Sequence, residues 1–312
     1  MELNNGHDQN GVGTGRALSL RRGGFKTRPY PVNALHNILD AIIFRHTIFS
    51  LPLVISAIFL ETHGHLQVRP TILILLAAIC ARNAANAMNR VIDADIDWDN
   101  VRTRGRQVPQ GLVSKKTLIV LSLMLVIIAG VCAAMLNTLC IILFPFAIIF
   151  IVLYSFSKRW TWLCHYWLGA ACAIAPMGAF IGISGRFSWP YLVLAGAHCF
   201  WVAGFDIIYA LQDIVNDRQH GLYSIPAEFG EKKARVIAFA SHIIAIILFF
   251  LLPSFWSMSK WYYAAAAIAA CLVLSEHIIS RGSTRHITIA SYSINEIVPL
   301  VILAGVILGI FA

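Results

Sequence analysis

Apolar stretches of about 20 residues recur along the chain, separated by short polar connections. A helix needs roughly that length to cross about 30 Å of hydrocarbon. The pattern predicts spans over 38–60, 70–92, 116–136, 138–157, 162–184, 190–212, 234–254, 260–280 and 290–311. Asn137-Thr138 divides the long run 116–157 into two. Pro52, Pro145 and Pro176 fall inside spans, where a membrane bundle tolerates the kink they impose. The expected fold class is therefore all-α, a polytopic membrane bundle of nine transmembrane helices over 37–312. A polar, Gly-rich tail over 1–36 precedes it, without an apolar core of signal-peptide type.

Composition supports this reading. The 312 residues are 58% hydrophobic and 12% charged, about half the charge of a soluble domain. The net charge of +9 is distributed by topology. Alternate connections hold 18 of the Lys and Arg residues outside spans and the opposite ones hold three, Arg69, Arg186 and Lys260. That asymmetry places the N-terminus in the cytoplasm and the C-terminus outside an inner or plasma membrane. It also accounts for the basic balance without nucleic acid. The seven cysteines lie in apolar runs without a CxxC pair and read as small buried hydrophobes.

Acidic residues are scarce, and their placement is uneven. Of 15 in the chain, Asp93, Asp95, Asp97, Asp99, Asp206, Asp213 and Asp217 fall in two stretches at the cytoplasmic ends of the second and sixth spans. Charge so near a bilayer marks function. A four-residue spacing shares a helical face, so Asn89, Asp93 and Asp97 form one stripe and Tyr209, Asp213 and Asp217 another. Asp206 precedes Tyr209 by one turn, and Asp95 and Asp99 form a rival stripe pointing elsewhere. Both clusters follow apolar helices running in the same direction, which hints at two related four-helix units plus a ninth helix. Magnesium uses one or two carboxylates together with substrate phosphates. Two facing stripes at Asp93, Asp97, Asp213 and Asp217 would hold Mg²⁺ and clamp a diphosphate, making it a leaving group.

Basic neighbours fit an anionic ligand. Arg102, Arg104 and Arg106 follow the first stripe, and Lys158 and Arg159 open the loop after the fourth span. Arg45 and Arg82 lie within apolar spans, where topology does not explain them. Arg45 is placed to face an anionic acceptor group. His46, His165, His198 and His277 are read as hydrogen-bonded structural residues; Asn295 and Glu296 open the ninth helix, where they either line the cavity or cap the helix, and capping is the preferred reading.

At these residues the chain resembles the UbiA superfamily of intramembrane aromatic prenyltransferases. The signatures are Asn89, Asp93 and Asp97, running into Arg102-Thr103-Arg104-Gly105-Arg106 and Pro109-Gln110-Gly111, then Tyr209, Asp213 and Asp217. Gly204-Phe205-Asp206, Gln212, Gly221-Leu222-Tyr223-Ser224-Ile225-Pro226 and Tyr154 with Lys158-Arg159 are similar too. The resemblance implies a cavity open sideways to lipid, a polyprenyl diphosphate activated by Mg²⁺, and alkylation of a small aromatic acid ortho to a hydroxyl. It implies catalytic roles for both acidic stripes and Tyr209, and substrate-binding roles for Asn89, Tyr154, Asp206, Gln212 and the basic residues. Arg90 stands where many 4-hydroxybenzoate enzymes carry Asp. The expected acceptor is 4-hydroxybenzoate, in quinone biosynthesis, with a dihydroxynaphthoate for menaquinone as the alternative.

Other classes fit less well. A cation-coupled transporter predicts charge at mid-membrane on broken helices, whereas these acids sit at helix ends. A CDP-alcohol phosphotransferase or an intramembrane aspartyl protease resembles other motifs, and Ala203-Gly204-Phe205-Asp206 matches the latter only in part. The face assignment gives a direct test. Asp97→Asn is expected to remove most turnover, while Asp95→Asn is much milder; equal losses in a prenyl-transfer assay would show that the wrong stripe was chosen.

Overall fold

The computed structural model describes residues 34–42 and 44–312, and their side chains except over 44–50. The Arg45 side chain is thus outside the described residues. All regular structure among the described residues is helical. The elements are α1 (Ala34–Ala41), α2 (Phe44–Thr62), α3 (Val68–Ile92), α4 (Ala94–Asp99), α5 (Lys115–Leu136), α6 (Thr138–Tyr154) and α7 (Cys164–Ser184). They continue with α8 (Tyr191–Ala210), α9 (Ile214–Gln219), α10 (Ile225–Leu251), α11 (Lys260–Ile279), α12 (Thr284–Ile289) and α13 (Asn295–Phe311). Seven helical stretches are long and apolar enough to cross a membrane, and Leu51–Thr62 and Thr138–Tyr154 are shorter apolar helices.

Local chemistry sets the boundaries. Asn137 ends α5 and caps α6, its Oδ1 accepting from the Cys140 N–H at 2.9 Å while its Nδ2 donates to Ile181 O at 2.8 Å. Ser224 caps α10 by accepting from the Ala227 N–H at 3.2 Å, with Pro226 in the first turn. The sequence pattern misplaces two starts. The seventh apolar run begins at Ile225 rather than 234, and Gly230 breaks it with φ 77° and ψ 166°, a conformation that L side chains resist. The last run begins at Thr284 and passes through a π turn over Ala290–Ile294 into α13. Asn295 therefore caps nothing, because the chain is already helical before it.

The helices pack as α3 on α5, α7 and α10 on α8, and α13 between α2 and α11. Small residues let backbones approach. Gly169 of α7 meets the main-chain carbonyl of Cys199 on α8, and Gly305 of α13 meets Ala265 of α11. The core is closed at the opposite end from the acids by stacked rings, Phe180 on Tyr191 at 4.4 Å and on Trp256 at 5.4 Å. Gly169→Ala is expected to cost about 1–3 kcal/mol, since the added methyl meets backbone that cannot turn aside. Gly178→Ala in the same helix meets nothing and serves as control. Thermal unfolding in detergent compares the two, and an equal response would show that the α7–α8 approach is not limiting.

Candidate active site

Asp93 sits at the junction of α3 and α4, with φ −92° and ψ 3°. The Asp93 N–H donates to Asn89 O at 3.0 Å and the Asp97 N–H to Asp93 O at 2.8 Å. The helical rise thus carries through the interruption, and Asn89, Asp93 and Asp97 stay on one side as their spacing predicts. Asp95 points away, its side chain 93% exposed and, among the described residues, paired only with Lys115 at 3.2 Å. At the second cluster a 3₁₀ turn over Leu211–Asp213 links α8 to α9 and turns Asp213 and Asp217 inward, both buried.

Both clusters line one cavity of about 980 Å³. Asn89, Asp93, Asp97, Tyr154, Lys158, Arg159, Asp206, Tyr209, Asp213 and Asp217 contribute to its polar end, with Arg90, Arg102 and Arg106. Its remaining wall is apolar, from α2, α3, α5, α6, α7 and α8. Two expected residues are not brought to it. Arg104 lies between Arg102 and Arg106 on the outer side of the turn and donates to Trp98 O at 2.9 Å. Gln212 faces α12, accepting from Thr288 at 3.4 Å.

Every acid of the two motifs has a polar partner. Asp97 receives Arg106 Nη1 on both oxygens, at 2.7 and 2.8 Å, and Arg90 Nη1 at 3.3 Å. Asp93 accepts from Asn89 at 2.9 Å and Arg159 at 3.2 Å. Arg102 grips Asp213 with Nε at 3.0 Å and Nη2 at 2.6 Å, the forked geometry of a strong ion pair. Its Nη1 donates to Tyr209 Oη at 2.6 Å, and its guanidinium carbon lies 4.9 Å from the Tyr209 ring centroid. Asn100 adds a third bond to Asp213 at 3.0 Å. Arg102 and Asn100 thus join the loop after the first motif to the second motif. Asp217 accepts from Ser224 at 2.8 Å.

Burial opposes charge on Arg102, yet Asp213 and Tyr209 outweigh it and raise its pKa. Burial opposes the Lys158 ammonium too. Asp217, Cys164, Asp206 and Asp213 around it reverse that and hold its pKa well above the ordinary lysine value. Lys158 is therefore a fixed cation among three carboxylates.

Residues outside the two motifs also take part. His165, fully buried, holds Asp206 through Nδ1 at 2.7 Å and so orients a carboxylate at the cavity. Its only signal was its place one residue inside α7. Asn295 and Glu296 do line the cavity. Asn295 accepts from Trp201 Nε1 at 2.7 Å and donates to Glu276 at 3.1 Å, a buried link between three helices.

Carboxylates, amides and guanidinium groups are thus gathered at one end of a single cavity. The UbiA prenyltransferase family model matches residues 50–297, and the chain belongs to that family. It is 22% identical over 254 residues to the 4-hydroxybenzoate octaprenyltransferase of Vesicomyosocius okutanii, covering 81% of this chain and 93% of that one. With its counterpart from Hydrogenovibrio crunogenus it shares 28% over 253 residues, 81% and 88% of the two chains. The apo structure of a UbiA homologue from Aeropyrum pernix superposes with a TM-score of 0.78 at 30% identity, over 85% of this chain and 98% of that one. A homologue from Archaeoglobus fulgidus, solved with GPP and Mg²⁺, shares the fold at TM-score 0.63 and 18% identity, over 86% and 99%.

The forked pair gives a test. Arg102→Gln is expected to weaken binding of magnesium diphosphate about tenfold, or about 1.4 kcal/mol. Arg104→Gln, outside the cavity, stays within twofold. Calorimetry on both variants decides, and equal effects would remove Arg102 from the site.

Proposed function

We propose that the protein transfers a polyprenyl group from a polyprenyl diphosphate to the ring of an aromatic acceptor, 4-hydroxybenzoate first, in quinone biosynthesis. The observation that carries this reading is the single cavity with an ionic floor and a long apolar wall. Such a cavity suits a substrate with a polyanionic head and a hydrocarbon tail. In this reading the shorter helices Leu51–Thr62 and Thr138–Tyr154 also belong to spans, which gives nine crossings. The N-terminus and the acidic floor face the cytoplasm, and the apolar wall opens to lipid so that the tail enters from the bilayer.

The donor set suits Mg²⁺, which takes hard oxygen ligands and keeps waters. Among the described residues no three acids or histidines are gathered as a closed metal cluster. Asp93, Asp97, Asp213 and Asp217 would hold the metal, and the arginines paired with the first three would be freed for phosphate. When bound, the ion neutralises charge on the departing diphosphate. The chain's own residues do the rest. Arg102, Arg106, Lys158 and Arg159 bind phosphate oxygens and fix the head. Asn89 and Asn100 orient Asp93 and Asp213. The Tyr209 ring, at the cavity beside Asp213, offers its π face to positive charge developing on the allylic carbon. The apolar wall excludes water, so the acceptor's ring rather than a hydroxide captures that carbon as its bond to the diphosphate breaks, and the attacked ring carbon then gives its proton to the released diphosphate.

The deciding experiment supplies purified protein with Mg²⁺, a polyprenyl diphosphate, and 4-hydroxybenzoate or a dihydroxynaphthoate, with products read by mass spectrometry. Prenylated hydroxybenzoate is expected, with turnover reduced about 100-fold or more in Asp213→Asn and Asp217→Asn, a barrier increase of about 2.7 kcal/mol. Prenylated naphthoate alone would reassign the acceptor. Full turnover in both variants would sink the mechanism.

A further inference from the structure

Six carboxylates line the cavity, the five aspartates of the floor and Glu296 of α13. The aspartates are engaged: Asp93, Asp97 and Asp213 by arginines, Asp206 by His165 and Asp217 by Ser224. Glu296 differs. It is partly buried, and among the described residues no hydrogen bond or ion pair holds it. A carboxylate set into an apolar wall is costly unless a proton or a ligand meets it.

The backbone accounts for its position. The π turn over Ala290–Ile294 inserts an extra residue into the last crossing, and such turns recur at functional sites. From this turn onward Tyr292, Asn295 and Glu296 line the cavity. The Tyr292 ring packs edge-to-face on Tyr209 with centroids 5.1 Å apart, so it adjoins the place where the allylic carbon lies in the prenyl-transfer reading. Glu296 follows four residues later, about one turn further from the floor on nearly the same face. The Asn295 amide beside it is spent on Trp201 and Glu276. Among the described residues, then, Glu296 is a free carboxylate one turn from the reacting end of the cavity.

We propose that Glu296 is the general base that takes the hydroxyl proton of the aromatic acceptor. This rests on the prenyl-transfer reading and names the residue that makes the ring a nucleophile. The aspartates of the floor hold metal in that reading, so their lone pairs are not open to a proton. As the ring carbon ortho to the hydroxyl bonds to the allylic carbon, the C–O bond to the diphosphate breaks and its electron pair leaves with the diphosphate. The hydroxyl proton passes to Glu296, and the ring holds a carbonyl in place of the hydroxyl. The attacked carbon then gives its proton to the diphosphate and the ring electrons return to oxygen. The oxygen takes its proton back from Glu296, which ends as the carboxylate it began.

Acceptor acidity tests the base. Turnover would be compared for 4-hydroxybenzoate and 3-fluoro-4-hydroxybenzoate, whose hydroxyl is more acidic while one ortho carbon stays free. The readout is the ratio of wild type to variant on each acceptor, which cancels the effect of fluorine on the ring itself. Glu296→Gln is expected to lower kcat about 100-fold on 4-hydroxybenzoate, and less than about tenfold on the fluorinated acid, which ionises without help. Magnesium diphosphate binding, read by calorimetry, is expected to stay within about twofold, and Glu296→Asp to keep part of the rate. Equal losses on the two acceptors overturn the inference and make Glu296 structural, as does full turnover in Glu296→Gln. If Glu296→Gln does not fold, the same comparison on Glu296→Asp decides: a loss that shrinks on the fluorinated acid supports the base, and an equal loss overturns it. Absence of any prenylated ring from wild type is a separate result, which ends the enzymatic reading and the inference with it.

Discussion

Charge balance inside a largely apolar bundle is the constraint on which the site depends. Five aspartates, Asp93, Asp97, Asp206, Asp213 and Asp217, line the cavity. Unpaired carboxylates there would cost more than the packing of a helix returns. Arg90, Arg102, Arg106, Lys158 and Arg159 line the same cavity and neutralise them. The Arg102–Asp213 fork does this across 111 positions of sequence. It joins the loop after α4 to the turn after α8, so the two motifs face each other. The small residues at the α7–α8 and α11–α13 contacts serve the same end from below, because they hold the backbones that carry these side chains at fixed separation.

The functional chemistry follows from this division of labour. The floor is polar because the helices end there and their turns bring in cations from the adjoining loops. The wall is apolar because it is built from the middles of helices. A reaction that parts a charged leaving group from a hydrocarbon chain needs both surfaces in one enclosure, and the family to which the chain belongs is defined by prenyl transfer.

Much of this was legible in the sequence. The four-residue spacing placed Asn89, Asp93 and Asp97 together and sent Asp95 outward, because helical geometry survives the junction at Asp93. Asn137 was read correctly as a divider, since an amide that caps one helix must end another. Other features were illegible because they depend on tertiary partners. The turn over residues 102–106 presents alternate side chains, so Arg104 faces out although its composition matches its neighbours. Gln212 is turned away by the 3₁₀ geometry after α8. The pattern around Asn295 fits a cap as well as a cavity residue, and what decides is tertiary: Trp201 and Glu276, which it bonds, are 94 and 19 residues away. Gly230 interrupts α10 through a positive φ that no hydrophobic pattern reports.

The pairing of Asp93, Asp97 and Asp213 with guanidinium groups has a thermodynamic corollary for the proposed ligands. A divalent ion that arrives alone must displace arginines and leave them unpaired in a poor solvent for charge. A polyanion that arrives alone meets cations already committed to carboxylates. Arriving together, the proposed ion would take the carboxylates and the proposed polyanion the arginines, and no charge would be stranded. The two ligands are thus linked: whatever factor one adds to the other's affinity is returned in equal measure. Proposed in these terms, binding is a four-party exchange of ionic partners, in which carboxylates and guanidinium groups already matched to one another would each accept a new counter-charge.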